Sequence, residues 1–135
     1  HAEALLARDE AAVIEAVRRS CLHKAGVVER DERETGERAL LNFGHTYGHA
    51  LETLGDYDTL LHGEAVAIGM VLAAELSARL GMAESAAAER LARLLTRLGL
   101  PTTRPEWARA EAMVNLMRLD KKALSDRLRL ILWRD

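Results

Sequence analysis

The chain has 135 residues, of which 49% are hydrophobic, 30% charged and 4% aromatic, with a formal net charge of −2. This length suits one domain with its own core, and the balanced charge gives no reason to expect nucleic acid or an anionic membrane as a partner. No run of about 18 apolar residues predicts a membrane span. The single cysteine, Cys21, excludes an internal disulfide and fits a reducing compartment, so we expect a cytoplasmic protein. We expect Cys21 to pack in the core or at its boundary, because it lies in an amphipathic stretch.

Helical periodicity dominates the first half of the chain. Asp9 is placed to cap a long helix, and a charged break at residues 29–38 follows it. Residues 38–54 are predicted to form one helix that Gly55 ends, with residues 55–63 as a loop. The apolar stripe of the first long helix consists of Val13, Ile14, Val17 and Cys21.

The second half continues this pattern. Residues 63–81 form the most apolar predicted helix, with small side chains that allow close helix contact, and residues 85–99 form the next. Both prolines fall in the break at 100–106 before a helix at 108–122, and only residues 127–133 alternate like a strand. The predicted fold class is therefore mainly α, a multi-helix orthogonal bundle with a short β appendage near the C-terminus.

Three of the five histidines lie in one short stretch, residues 42–70. His45 and His49 are four residues apart, so on a helix they share a face about 6 Å apart, and a turn can bring His62 back to them. Zinc prefers neutral imidazole nitrogens, usually three or four ligands, often with a carboxylate. Thr46 stands where a zincin protease needs glutamate, which excludes that chemistry. The spacing leaves two interpretations open, a metal site or unrelated polar residues.

A second set of polar residues could converge on this face. Asn42 is three residues before His45, on the same helical side, and cations beside a metal would suit a substrate carrying phosphate or carboxylate. Scattered surface charges are the alternative interpretation. The cationic members of the set are Lys24, Arg38, Lys121 and Lys122.

Four segments in this order resemble the C-terminal domain of the 3-dehydroquinate synthase family, and the resemblance runs from about residue 10 to the end. They are "VVERDERETGERALLNFGHTYGHALE", "LHGEAVAIGM", "GLP" and "DKK". The combination is far more specific than a lone histidine pair. The resemblance implies that residues 1–135 form a C-terminal helical metal- and substrate-binding domain, and that an N-terminal NAD-binding α/β domain is absent. A start at His1 without Met agrees with an excised piece.

The resemblance also implies an activity. Members of this family are lyases of the shikimate route to chorismate and the aromatic amino acids. They convert 3-deoxy-D-arabino-heptulosonate 7-phosphate to 3-dehydroquinate and phosphate by NAD-assisted oxidation, phosphate elimination, reduction and intramolecular aldol closure. The implied cofactors are NAD and a divalent metal, zinc or cobalt. We expect a homodimer, and we expect the 135-residue chain to be inactive alone.

Motif by motif, the resemblance assigns roles. His45 and His62 match metal ligands, and the third ligand is a glutamate upstream of this chain. His49 matches a substrate-binding acid/base group, and Glu34 matches a proton acceptor. No NAD contact is assigned to this chain. The remaining substrate-binding matches are Lys24, Arg38, Asn42 and one of Lys121 and Lys122.

Two alternatives stay open. Another NAD- and metal-dependent sugar-phosphate cyclase, acting on sedoheptulose 7-phosphate or glucose 6-phosphate, would keep the metal histidines; Lys24 with Arg38 favours a substrate that carries a carboxylate. A non-catalytic zinc-stabilised helical module needs four closed ligands, and the sequence offers no clear fourth. If the metal assignment is right, nitrogens of His45 and His62 should lie within about 4 Å of each other, and His49 should face the same cavity.

Overall fold

The computed structural model describes residues 1–121 and 128–135, without the side chains of Asp120 and Lys121. The mainly-α class is confirmed, and the described residues contain no strand. No helix in this described part is long and apolar enough to cross a membrane. The elements are α1 (Ala2–Leu6), α2 (Glu10–Arg30), a 3₁₀ helix (Glu37–Asn42), α3 (His45–Leu54), α4 (His62–Arg79), α5 (Ser85–Arg97) and α6 (Ala110–Lys121).

Most predicted helix ends are confirmed. The Asp9 carboxylate accepts a hydrogen bond from the backbone N–H of Ala12 at 2.9 Å and so caps α2. Gly55 is the C-terminal cap of α3. Gly81 and Gly99, with φ of 67° and 75°, follow the ends of α4 and α5, where left-handed backbone favours glycine.

The prediction of one helix over residues 38–54 is wrong. The 3₁₀ helix ends at Asn42, and α3 begins anew at His45 after Gly44, whose φ is 82°. A Cβ atom on Gly44 would lie 2.6 Å from the backbone nitrogen of Met70 on α4. The break follows from this close approach of two backbones, which the spacing of apolar residues does not reveal.

Helix α4 is the centre of the domain. One apolar cluster joins it to α3 and α6, with Leu51 and Ile68 fully buried. A second cluster on another side joins Ala67 and Val71 to Leu95 of α5. This two-sided burial explains why α4 is the most apolar helix of the chain, since a helix that packs on several sides has little polar face.

Helices α3 and α4 pack backbone to backbone. A Cβ on Gly69 would lie 2.1 Å from the carbonyl oxygen of Gly44, and one on Gly48 would lie 3.2 Å from the Cα of Val66. The expected close helix contact is therefore present. Because Val66 lies one turn after His62, this contact brings the start of α4 beside the histidines of α3.

The apolar stripe of α2 is not part of this core. Ile14 and Val17 are 58% and 56% exposed, and the main contacts of α2 are to α1 and the 3₁₀ helix. Cys21 is exposed, so its predicted packing is wrong. Amphipathic spacing identifies an apolar face but not what covers it, and here only the C-terminal end of α2, at Val27, is buried.

The predicted strand at residues 127–133 is also wrong where it is described, because residues 128–135 have no regular secondary structure. This segment is held by single contacts instead. The backbone N–H of Trp133 donates to Ser77 Oγ at 2.9 Å, and its ring meets Phe43 edge-on at 6.4 Å. The Asp135 carboxylate accepts from the N–H of Glu84 at 2.7 Å. The β appendage is therefore absent from the described residues.

Candidate metal and anion site

The structure brings the three predicted histidines together. The ring centroid of His45 lies 5.8 Å from that of His49 and 5.5 Å from that of His62, and the last two are 6.1 Å apart. Two imidazoles bound to one zinc through nitrogens about 2 Å from the ion have centroids about 5 Å apart. All three rings are thus near enough for small rotations to bring any pair onto one ion. Which of them bind an ion stays a prediction.

Local structure at two helix starts places these rings. His45 is the first residue of α3, directly after left-handed Gly44, and its Nδ1 lies 3.4 Å from the carbonyl oxygen of Phe43. His62 is the first residue of α4. The Glu64 carboxylate accepts a hydrogen bond from the backbone N–H of Leu61 at 2.8 Å, which stabilises the first turn of that helix.

Glu52 is a site residue that the sequence reasoning missed. Its Oε1 lies 2.9 Å from Nδ1 of His62, and its side chain is only 11% exposed, against 58% for His62. One ligand atom from each of His49, Glu52 and His62 lies within 4.8 Å of the others. His45 is not in that group. Its spacing could have predicted it, because Glu52 follows His49 by three residues and therefore lies on the same face of the helix.

The predicted anion-binding residues converge beside His45. A cavity of about 310 Å³ is lined by Lys24, Glu34, Arg38, Leu41, Asn42 and His45. These residues come from α2, the charged break, the 3₁₀ helix and the start of α3. The predicted lysines, Lys121 and Lys122, cannot be placed in it, since the side chain of the first and the whole of the second lie outside the described residues.

The charged groups in this cavity are interlinked. Asn42 Nδ2 donates to Glu34 Oε1 at 2.8 Å, and Arg38 Nε lies 3.9 Å from Glu34 Oε2. Arg38 Nη1 also donates to the carbonyl oxygen of Glu32 at 2.6 Å. Glu34 has a φ of 55°, in the left-handed region that is uncommon for residues other than glycine, and Arg8, Asp56 and Tyr57 share this conformation.

His49 lines a second cavity. It has a volume of about 520 Å³, and His49 and Glu52 line it together with Thr46, Ala50, Thr53, Tyr57, Leu116, Met117 and Leu119. His45 lines the first cavity and His49 the second, although the sequence predicts one shared cavity. Successive turns of α3 therefore contribute histidines to two different cavities.

Asp31 organises the loop that carries Glu34 and Arg38. Its carboxylate accepts hydrogen bonds from the backbone N–H groups of Arg38 at 2.9 Å, Thr35 at 2.9 Å and Gly36 at 2.8 Å. These three donors, led by that of Arg38, lower the pKa of Asp31 from 3.8 to about 2. The charged form of Asp31 therefore stabilises the loop in the folded state.

Replacing Asp31 with Asn should destabilise the chain in a pH-dependent way. Because the pKa of Asp31 is about 2 in the folded chain and near 3.8 when unfolded, its contribution is present above pH 4 and disappears as the pH falls towards 2. Asparagine has one acceptor oxygen for three donors. The difference in urea midpoint between parent and D31N, measured from pH 6 to pH 2, should shrink towards pH 2. A constant difference would contradict the role of the charge.

The chain is similar in sequence to proteins of one family over nearly its whole length. A family model described as "3-dehydroquinate synthase C-terminal" matches residues 1–123. The chain belongs to this 3-dehydroquinate synthase C-terminal family.

Three relatives illustrate the similarity. The 3-dehydroquinate synthase of Xylella fastidiosa (strain M12) is 56% identical over 137 residues, which cover 98% of this chain and 37% of that protein. Those of Xanthomonas campestris pv. campestris (strain 8004) and Xanthomonas oryzae pv. oryzae (strain PXO99A) are 57% and 56% identical over 141 residues, 99% of this chain and 38% of each protein. The chain therefore spans a little more than a third of the length of these relatives.

Proposed function

We propose that residues 1–135 are the C-terminal metal- and substrate-binding domain of a 3-dehydroquinate synthase. The reaction would convert 3-deoxy-D-arabino-heptulosonate 7-phosphate to 3-dehydroquinate and phosphate. The observation that carries the proposal is the cavity of about 310 Å³ in which Lys24, Arg38, Asn42 and Glu34 meet His45. Residues from α2, the charged break, the 3₁₀ helix and the start of α3 thus line one cavity, and each of the four was predicted to bind or process the substrate.

The substrate is an anion at both ends, with a carboxylate and a phosphate, and the cavity has matching groups. Arg38 presents a guanidinium fork suited to bidentate binding of either group, and Lys24 adds a second cation. Asn42, oriented by its bond to Glu34, adds an amide that can donate to a phosphate oxygen. Fixing both ends would hold successive intermediates in one place.

The donor set beside this cavity fits a divalent metal, because zinc and cobalt both accept imidazole nitrogen. In the proposal His45 and His62 would hold the ion, with an upstream glutamate as third ligand. The bound ion would supply Lewis acidity to the oxygens of the substrate.

Two groups of this chain are proposed to move protons. His49 lines the second cavity, but it is exposed and its ring centroid lies 5.8 Å from that of His45, so its imidazole is near enough to exchange protons with a substrate bound beside the metal. Glu34, within the cavity, is the proposed proton acceptor.

The remaining requirements would come from outside the chain. NAD would supply reversible oxidation of a substrate hydroxyl, and an N-terminal α/β domain would bind it. We place the synthase in the cytoplasm and propose that it is a homodimer.

The alternatives differ in what the site should look like. Sedoheptulose 7-phosphate and glucose 6-phosphate, the substrates of the alternative cyclases, carry no carboxylate. The presence of both Lys24 and Arg38 in the cavity therefore favours the heptulosonate substrate, which has a carboxylate as well as a phosphate. A structural zinc module needs four closed ligands. His49 and His62 are instead exposed, which favours a site open to substrate.

The test is conversion by the full-length protein with NAD and either zinc or cobalt. Phosphate release and loss of substrate should be observed with 3-deoxy-D-arabino-heptulosonate 7-phosphate and not with sedoheptulose 7-phosphate or glucose 6-phosphate. Turnover of one of the latter alone would support the alternative cyclase. No turnover of any, together with tight zinc binding, would support the structural module.

The 135-residue chain alone should fold, because its helices bury an aliphatic core. It should catalyse nothing and bind zinc weakly, since the proposed upstream ligand is missing, and it should have no measurable affinity for NAD. Calorimetric titration with zinc and with NAD checks both expectations. Tight stoichiometric zinc binding would place a third ligand within the chain, and measurable NAD affinity would place the cofactor site in this domain.

A further inference from the structure

We infer that Glu52 is a positioning residue that holds the His62 imidazole in the orientation and tautomer needed to bind a metal ion. The inference rests on the proposed function, since it takes His62 as a ligand. It concerns a carboxylate to which neither the motif nor the family match assigns a role.

Glu52 and His62 are in direct contact. Glu52 Oε1 and His62 Nδ1 are 2.9 Å apart, a hydrogen-bond distance. The two residues are ten apart in sequence and come from different helices, α3 and α4. Their contact depends on the close glycine packing of those helices, so it is a product of the fold and not of local sequence.

Glu52 is much more buried than His62. The Glu52 side chain is 11% exposed, whereas that of His62 is 58% exposed. A nearly enclosed carboxylate is costly unless it is hydrogen-bonded, and its neighbour Leu51 is fully buried, so the helix cannot easily turn Glu52 towards solvent. The carboxylate is therefore the fixed partner and the imidazole is the group that it orients.

The contact with Glu52 selects one tautomer of the His62 ring. An ionised carboxylate only accepts hydrogen bonds, so the proton of a neutral His62 must be on Nδ1. Nε2 then keeps its lone pair and points away from Glu52, free to bind a metal. Carboxylate–histidine–metal arrangements of this kind orient the ring and raise its basicity as a ligand.

Glu52 could instead be a ligand itself, because it lies within 4.8 Å of donor atoms of His49 and His62. The distances favour positioning. Two donors on one zinc, each about 2 Å from the ion at a tetrahedral angle, are about 3.3 Å apart. The observed 2.9 Å is shorter, and it joins Glu52 to the same His62 nitrogen that a shared ion would have to occupy.

The experiment uses the full-length protein with Glu52→Gln and Glu52→Ala, and with Glu75→Gln as the control. Glu75 is exposed on α4, more than three turns after His62. Zinc affinity is measured by competition with a chelator, and the metal environment by the visible spectrum of the cobalt-loaded protein. Thermal unfolding of each metal-free variant reports whether the fold is kept.

E52A should weaken zinc binding by about 10- to 100-fold, the usual effect of losing such a partner. E52Q should recover most of that loss, because its amide oxygen still accepts the Nδ1 proton, and E75Q should bind like the parent. The cobalt spectrum should keep its band positions throughout, since the coordinating atoms are unchanged.

Three results would overturn the inference. Equal losses in E52Q and E52A with an altered cobalt spectrum would make Glu52 a ligand. Unchanged zinc affinity with a lower unfolding temperature would make it structural. If His62→Ala binds zinc as tightly as the parent, the proposed metal site fails and the role of Glu52 fails with it, whereas the first two results leave the metal site intact.

Discussion

Replacing Gly69 with Ala should lower the free energy of unfolding by about 3 kcal/mol or more, the upper range for overpacking a rigid core. The added Cβ would lie 2.1 Å from the carbonyl oxygen of Gly44 and 3.0 Å from the nitrogen of Gly48. Both atoms are backbone, and they form the first hydrogen bond of α3, at 2.9 Å. No side-chain rotation relieves the clash, so α3 must move away from α4 and take its histidines with it. Urea denaturation measures the loss, and zinc titration should show weaker binding.

Gly63 offers the matched control on the same helix. A Cβ there meets nothing within 4 Å, so G63A should change stability by less than about 1 kcal/mol, in the stabilising direction if helix propensity decides it. A G69A variant as stable as G63A would show that α3 and α4 do not pack as closely as described.

Replacing Arg38 with Ala in the full-length protein should lower kcat/KM for the heptulosonate phosphate by about 10- to 100-fold, the range for losing charge-assisted hydrogen bonds. Metal content should not change. Arg38 lines the cavity with Lys24 and Asn42, and its contacts are to Glu34 and to the carbonyl of Glu32 rather than to a histidine. Steady-state kinetics and metal analysis of the same preparations test both parts.

Two further variants separate the effect of the Arg38 guanidinium from a general effect of charge. Arg38→Lys keeps the charge but not the planar fork, so it should fall between parent and R38A if bidentate binding matters. Arg33→Ala removes an exposed arginine from the same loop and should leave kcat/KM near the parent value. Loss of metal from R38A, or an equal loss of activity in R33A, would contradict the assignment of Arg38 to the substrate.

The sequence by itself determined the mainly-α class and most helix ends, and it predicted three of the polar residues that line the cavity beside His45, namely Lys24, Arg38 and Asn42. Helix ends are local, because a side chain such as Asp9 caps the turn beside it and Gly55 ends the helix before it. The motif order indicated the family, and the predicted anion-binding residues followed from their positions around the histidines and from the resemblance. Helix ends and motifs are formed by residues close together in the chain, so they can be read from the sequence.

Tertiary structure alone decided the rest. The break at Gly44 exists because Met70 of α4 approaches its backbone, and Glu52 meets His62 because α3 lies against α4. The segment with strand-like alternation does not join a sheet in the described residues, and its Trp133 contacts Ser77 and Phe43 instead. Periodicity reports which residues are apolar and on which face. It does not report how closely two backbones approach, and that distance, set here by glycines on both helices, determines which side chains of the site can touch.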